Sequence, residues 1–178
     1  IKSGSFTGAD NYVYLISIPY SKELAPDLNT FCENATAIYN LNDKIKSAYP
    51  VGAGGIAEAV TKMAFGNKIG VNLNLIPGSR IADKNDSETA EALFVPRYGS
   101  IIIETEKELT SQELKYAGLS AENITLIGNT QKEQAIAISS SKLPAMSISL
   151  KELENDWEST LAKVFPPVSS AKPEDSYP

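Results

Sequence analysis

Two apolar segments in the second half of the chain, residues 124–127 and 134–139, have no helical pattern between them. β-Branched residues in both predict two strands, and the Gly128-Asn129 connection predicts that they form an antiparallel pair. A doubly wound parallel sheet requires a helix between successive strands, so this arrangement disfavours it. We therefore expect an α/β (α+β) fold in which helices pack on a mixed sheet.

Apolar periodicity predicts the remaining elements. Strands are expected at residues 12–18, 70–75 and 99–106. Helices are expected over residues 27–48, from residue 56 to a stop at Gly66-Asn67, over about 87–93 and over about 150–164. A further helix should begin at Thr110, because Glu113 stands three residues on in capping-box spacing, and should end at Gly118.

Two side chains with unusual chemistry are expected to pack rather than react. Cys32 lies on the apolar side of its predicted helix and should be a small core residue. Trp157 shares one face of the last predicted helix with Leu153, Leu161 and Val164, which makes it a packing anchor.

The chain has 178 residues, of which 42% are hydrophobic and 21% charged. This length suits one domain that buries a core without a disulfide or metal, and Cys32 is the only cysteine. We expect residues 1–166 to form the domain and residues 167–178 to be a disordered linker or tail. The chain opens without methionine, which suggests a piece of a longer polypeptide.

Charge and composition exclude several classes of function. The formal net charge of −6 disfavours duplex nucleic acid and anionic membranes as partners. The chain contains no histidine, so it cannot build a Ser-His-Asp triad, a Cys-His dyad or a histidine zinc site by itself. No apolar run approaches the ~20 residues needed to span a bilayer, and a cytoplasmic protein is expected.

One segment, residues 51–59 (VGAGGIAEA), has the composition of a ligand-binding turn before a helix. Glycines such as Gly52, Gly54 and Gly55 allow a ligand to approach the main chain, and the amides of the following helix favour an anion. A phosphate or carboxylate is the natural guest. A tight turn that only allows close helix packing explains the spacing equally well, since the segment lacks both the GxGxxG spacing and the P-loop ending.

Other polar residues give weaker indications. Arg97 could pair with a phosphate, and Arg80 is the only other arginine. Asp83, Asp86 and Glu88 could approach magnesium, but a solvated acidic loop explains them better, and no metal site is predicted. Glu58 and Lys62 stand one helical turn apart and predict an exposed ion pair.

The glycine segment and its flanks resemble the C-terminal domain of the aminoimidazole ribonucleotide synthetase superfamily. The segments that carry the resemblance are residues 48–59 (AYPVGAGGIAEA), 63–67 (MAFGN), 69–71 (IGV), 92–94 (ALF), 97–104 (RYGSIIIE) and 127–130 (IGNT). Within the superfamily the chain is most similar to the phosphoribosylformylglycinamidine synthases, whose large form has two such domains. Residues 153–161 (LENDWESTL) resemble the tryptophan-containing helix that precedes their glutaminase domain.

This resemblance implies a three-layer, partly ferredoxin-like fold and a place in a larger enzyme. Such enzymes are ATP- and glutamine-dependent ligases of purine biosynthesis, and they convert formylglycinamide ribonucleotide to the amidine. The implied cofactors are ATP or ADP with magnesium. In such enzymes the nucleotide lies between this type of domain and an N-terminal-type domain of the same parent chain. The parent chain also carries a glutaminase domain. The implied phosphate- or nucleotide-binding residues are Gly52, Ala53, Gly54, Gly55 and Arg97.

The chain also departs from the family pattern. Tyr49-Pro50 replaces the family's His-Asp, and Val95-Pro96 replaces a Ser-Glu. We therefore expect no catalytic residue here and a domain that is inactive alone. The alternatives are a domain of a selenophosphate synthetase or of a hydrogenase maturation protein, or a non-catalytic docking domain whose glycine turn is purely structural.

Overall fold

The computed structural model of the chain describes residues 2–21, 25–75, 90–140 and 144–160. Within these ranges, seven strands form one sheet in the order β2-β4-β1-β5-β3-β6-β7. The strands are β1 (Tyr12–Ile16), β2 (Ile45–Pro50), β3 (Gly70–Leu75), β4 (Ile101–Thr105), β5 (Ile124–Gln131), β6 (Ala135–Ser140) and β7 (Met146–Ser149). The pair β3–β6 is parallel and the other five pairs are antiparallel. The predicted mixed sheet is confirmed.

The predicted pairing of β5 with β6 is wrong, because β3 lies between them. Gly128 and Asn129 are not a turn but belong to β5, where Gly128 faces Leu73 of β3. A Cβ on Gly128 would lie only 2.1 Å from the carbonyl oxygen of Asn72. Glycine here allows two strands to approach closely, a requirement that in sequence looks the same as a turn.

The described residues form four α-helices beside the sheet: α1 (Leu28–Asn40), α2 (Gly55–Asn67), α3 (Ser111–Ala117) and α4 (Leu150–Ser159). The capping box of α3 is confirmed, with Thr110 and Glu113 capping each other's amides and Gly118 in the left-handed conformation. The stop predicted for α2 at Gly66-Asn67 is confirmed, because the helix ends at Asn67 and Lys68 caps it in the left-handed conformation. Of the helix predicted near residues 87–93, the described part is one 3₁₀ turn, Ala90–Leu93.

The helix predicted over residues 27–48 is too long. It ends at Asn40, and after a turn the chain enters β2, where Ile45 and Ser47 are buried and Lys46 between them is exposed. Ile45 fits both the helical period and this two-residue alternation, which explains the error. The helix buries Asn34 and Ala37, while Cys32 is exposed, so its predicted place in the core is also wrong.

The two faces of the sheet carry separate cores, which gives the three layers that were expected. On one face α2, α4 and the 3₁₀ turn cover a core that includes Leu15, Ile56, Val60, Met63, Leu73, Ile102 and Ile127. On the other face α1 and α3 cover a core that includes Tyr14, Ile16, Ala37, Leu41, Ile45 and Ile103. The three isoleucines of β4 therefore serve both faces in alternation.

Helix α4 begins at Leu150, as predicted, and its described part ends at Ser159. Leu153 packs against the core, and the ring of Trp157 stacks on Phe65 of α2 with 5.5 Å between ring centroids. Trp157 is nevertheless 61% exposed, so it anchors the helix by one ring face only. Leu161 and Val164 lie outside the described residues, as does the predicted tail 167–178.

Candidate functional site

The glycine turn connects the end of β2 to the start of α2. Its main chain is bonded to the segment before β4: Val51 donates its amide to Ser100 O at 2.9 Å, and Arg97 donates its amide to Gly52 O at 3.4 Å. Gly52 and Arg97, which the sequence placed in one candidate site, are therefore brought together. The turn also follows the edge of a sheet, which gives it a rigid support.

The glycines of the turn have different structural roles. Gly55 is buried with φ of +69°, and a Cβ on it would lie 2.4 Å from the carbonyl oxygen of Leu93. This glycine is required by packing, as the tight-turn interpretation held. Gly52 is different, because a Cβ there would meet only Glu58 Oε2, at an ordinary 3.6 Å. Ala53 between them is exposed.

Glu58 in the first turns of α2 binds back to the glycine turn. Its Oε2 accepts a hydrogen bond from the Gly54 amide at 2.8 Å, and its Oε1 pairs with Lys62 Nζ at 2.5 Å. The Lys62 contact, followed by the Gly54 amide, lowers the pKa of Glu58, and the same contact raises the pKa of Lys62. The predicted ion pair is confirmed, but its carboxylate also bonds to the turn, which spacing alone did not indicate.

Arg97 is half-buried next to the turn, and its positive charge reaches Tyr20. Burial raises the pKa of Tyr20, while the Arg97 charge acts in the opposite direction. The Tyr20 hydroxyl donates to the carbonyl oxygen of Tyr98. Arg97 thus brings a positive charge to the segment whose main chain is bonded to the glycine turn.

The acidic candidates Asp83, Asp86 and Glu88, and also Arg80, lie outside the described residues. Within the described ranges, no group of three or more Cys, Asp or Glu side chains is placed to hold a metal ion. Nor is any described helix long and apolar enough to cross a membrane.

A groove of about 820 Å³ extends from the glycine turn along α2. Gly54, Glu58 and Lys62 line one end. Apolar side chains line the remainder, among them Phe65, Leu73, Ile136, Ile138, Met146, Ile148, Leu153 and Trp157. Sequence reasoning missed this groove because it missed β7, a short strand whose four residues are all exposed.

Together, the turn, the first amides of α2 and Lys62 form a corner at one end of an apolar groove, and the main chain of Arg97 is bonded to the turn. Hydrogen-bond donors from a helix N-terminus beside cationic side chains suit a phosphate or carboxylate.

Neither a search of protein-family models nor a search of curated proteins finds a match to this chain. Solved structures do match. PurL from T. maritima complexed with AMPPCP aligns with a TM-score of 0.65 and 12% identity, over 86% of this chain and 27% of that one. Phosphoribosylformylglycinamidine synthase II from Thermotoga maritima aligns with a TM-score of 0.64 and 15% identity, over 85% and 27%. HypE from E. coli, a hydrogenase maturation protein, aligns with a TM-score of 0.58 and 14% identity, over 84% and 52%.

At these identities the matches establish the fold and nothing finer. The chain has the aminoimidazole ribonucleotide synthetase-like fold that these proteins share. It spans about a quarter of the length of the matched PurL chains and about half of the matched HypE chains. Other matched structures are PurL complexed with ATP or with FGAR, HypE in complex with ATP, and a HypE-HypF complex.

Proposed function

We propose that this chain is a phosphate-binding domain of an ATP-dependent synthetase with the aminoimidazole ribonucleotide synthetase-like fold. The observation that carries the proposal is that the glycine turn leads directly into α2 and is bonded to the main chain of Arg97, whose amide donates to Gly52 O at 3.4 Å. Such a corner binds phosphate through main-chain donors and a guanidinium. Its bound group is the phosphate of ATP or ADP with magnesium, or of a ribonucleotide substrate.

Within this class, we infer that the parent enzyme is a phosphoribosylformylglycinamidine synthase, which forms formylglycinamidine ribonucleotide with ammonia from glutamine. The glycine-turn motif and its flanks support this assignment, as do matched PurL structures that hold ATP, AMPPCP or FGAR. In this proposal residues 1–166 are one domain. An N-terminal-type domain and a glutaminase domain of the same chain complete the enzyme, and this domain is inactive alone.

A domain of a hydrogenase maturation protein is the second candidate, because HypE aligns over almost the same share of this chain. Both candidates are nucleotide-binding, so ATP cannot distinguish them. Formylglycinamide ribonucleotide can, because only the purine ligase has it as a substrate.

The first experiment follows amide resonances of the ¹⁵N-labelled chain during titration with magnesium ATP and, separately, with formylglycinamide ribonucleotide. We expect the shifts to concentrate at residues 52–57 and at Arg97. A ribonucleotide response favours the purine ligase, and a response to ATP alone favours the second candidate. Shifts confined to other parts of the chain, or no shift with either ligand, would contradict phosphate binding at the turn.

Two variants at the exposed Ala53 test whether the phosphate binds at the glycine turn itself. Ala53→Asp places a negative charge at the turn, whereas Ala53→Asn adds a side chain of the same shape without charge. We expect the aspartate variant to bind magnesium ATP about fivefold more weakly, from roughly 1 kcal/mol of repulsion. The asparagine variant should bind as the unmodified chain does. Equal affinities for the two variants would place the phosphate elsewhere.

A further inference from the structure

The structure already places one anion at the glycine turn, and that anion is the chain's own Glu58 carboxylate. We propose that Glu58 is an intramolecular competitor at this site, so that it determines how tightly the turn binds an anion and which anions it prefers. The inference rests on the proposed phosphate site and adds a specificity-determining residue to it.

The geometry shows that one carboxylate occupies two of the site's positive features. Its Oε2 accepts a hydrogen bond from the Gly54 amide at 2.8 Å, and its Oε1 forms an ion pair with the Lys62 ammonium at 2.5 Å. A phosphate that is to use the Gly54 amide must therefore displace Oε2. The Glu58 side chain keeps 36% of its surface exposed, so it can rotate outward without unpacking the core.

Gly54 also shows that the chain leaves room for this contact. A Cβ at position 54 would lie 2.6 Å from Glu58 Cβ and 2.7 Å from Glu58 Oε2. Any larger residue would push the glutamate off the turn. The glycine at position 54 is thus matched to the glutamate at position 58, whereas the glycine at position 55 is matched to the backbone of residues 93–95.

An internal carboxylate discriminates between external anions. A ligand with one carboxylate replaces the Glu58 carboxylate at the turn by a group of the same kind, so it gains little binding free energy. It must also overcome repulsion from the Glu58 charge. A polyphosphate brings more charge and more acceptor oxygens, and it can engage the amides of α2 and the Lys62 ammonium together. We therefore expect the turn to select polyphosphates over carboxylates, and Glu58 to reduce that preference, because repulsion from its charge grows with the charge of the ligand.

The test compares Glu58→Gln with the unmodified chain in calorimetric titrations with inorganic pyrophosphate and with acetate. Glutamine keeps the shape and an acceptor oxygen but removes the charge. We expect pyrophosphate to bind about five- to tenfold tighter to Glu58→Gln, because the repulsion is removed and the neutral glutamine oxygen holds the Gly54 amide less strongly than the carboxylate does. Acetate should gain by a smaller factor, because its single charge is repelled less by Glu58, so that the preference for pyrophosphate over acetate widens.

Glu154→Gln is the matched control. Glu154 pairs with Lys68, which caps the opposite end of the same helix, so this variant removes the same charge from a similar ion pair roughly 20 Å from the turn. It should leave pyrophosphate affinity unchanged. If both variants gained the same affinity for pyrophosphate, the effect would come from the net charge of the chain alone, and the proposal would be overturned.

A direct readout separates this inference from the proposed function. In the unmodified chain, the ¹³C resonance of the Glu58 carboxyl should move as pyrophosphate binds, in step with the Gly54 amide. If pyrophosphate binds at residues 52–57 but Glu58→Gln binds it no tighter, the competitor role fails and the phosphate site stands. If neither chain shows binding at the turn, both proposals fail.

Discussion

Ser47 donates its hydroxyl to Glu104 Oε2 at 2.6 Å, and neither residue has any exposed surface. The same carboxylate accepts from Asn11 Nδ2 at 2.7 Å and from the amides of Thr7 and Gly8. Glu104 thus binds the segment before β1 to strands β4 and β2. A buried carboxylate is tolerated there because neutral donors surround it.

This arrangement predicts a large loss of stability for Glu104→Gln. The glutamine NH₂ group would point at donors, so at least one hydrogen bond is replaced by a buried clash of like groups. We expect the free energy of unfolding to fall by about 2–4 kcal/mol in denaturant titrations. The control is Glu106→Gln, two residues on, which only breaks an exposed ion pair with Lys46. A similar loss in both variants would contradict the role of Glu104.

Gly55→Ala should destabilise the chain by more than backbone strain alone. The new Cβ would be held at φ of +69° and driven into the carbonyl oxygen of Leu93, for a loss of about 3 kcal/mol. Gly118→Ala isolates the strain, since φ there is +81° and nothing lies within 4 Å of the new Cβ, and should cost about 1 kcal/mol. Equal losses in thermal or denaturant unfolding would show that Gly55 is not packed as described.

Acid should weaken the contact between α3 and the turn after α1. The hydrogen bond from Lys44, followed by the Thr110 amide, lowers the pKa of Glu113 from 4.5 to about 2. A carboxyl with a depressed folded-state pKa stabilises the fold above pH 4.5, and this contribution disappears as pH falls from 4.5 to 2. Stability measured against pH should therefore decline less steeply in Glu113→Gln over that window. Glu33→Gln, on the exposed side of α1, should follow the unmodified chain; a parallel curve for Glu113→Gln would rule the contribution out.

The fluorescence of Trp157, the only tryptophan, should report the docking of α4 on α2. Phe65→Ala removes the ring that covers one face of the indole and should cost about 1 kcal/mol of stability. Acrylamide quenching of the folded protein should increase and the emission should shift to the red. Tyr116→Ala, at an exposed site on α3, is the control and should change neither. An unchanged quenching constant in Phe65→Ala would mean that the rings do not stack in solution.

Elements defined by local contacts were predictable from the sequence. The capping box of α3 lies within four residues, and the isoleucines of β4 favour a strand wherever it pairs. The pairing of β5 with β3 and the exposed strand β7 were not predictable in the same way. Both depend on contacts between distant parts of the chain, which periodicity does not report.

The candidate site shows the same difference between local contacts, which were predictable, and long-range contacts, which were not. The glycine turn, its helix and the Glu58–Lys62 pair are local, and the structure contains all three. The bond from Glu58 to Gly54 depends on the backbone path of the turn, and the groove depends on the placing of β7. The donors of Glu104 come from residues 7, 8, 11 and 47, so no local pattern could have identified them.

The strand order has a consequence for how the chain folds during synthesis. Of the six neighbouring pairs in the sheet, only β6–β7 joins strands that are consecutive in sequence. The set β2-β4-β1 and the set β3-β6-β7 meet only through β5, which begins at Ile124. Among the described strands, β5 is the first partner of β3 to be synthesised, so a nascent chain must make more than 45 further residues before β3 can join this sheet. Because loop closure must precede such long-range pairing, the sheet should assemble slowly and late, and truncations before β5 should yield aggregation-prone chains rather than a smaller fold.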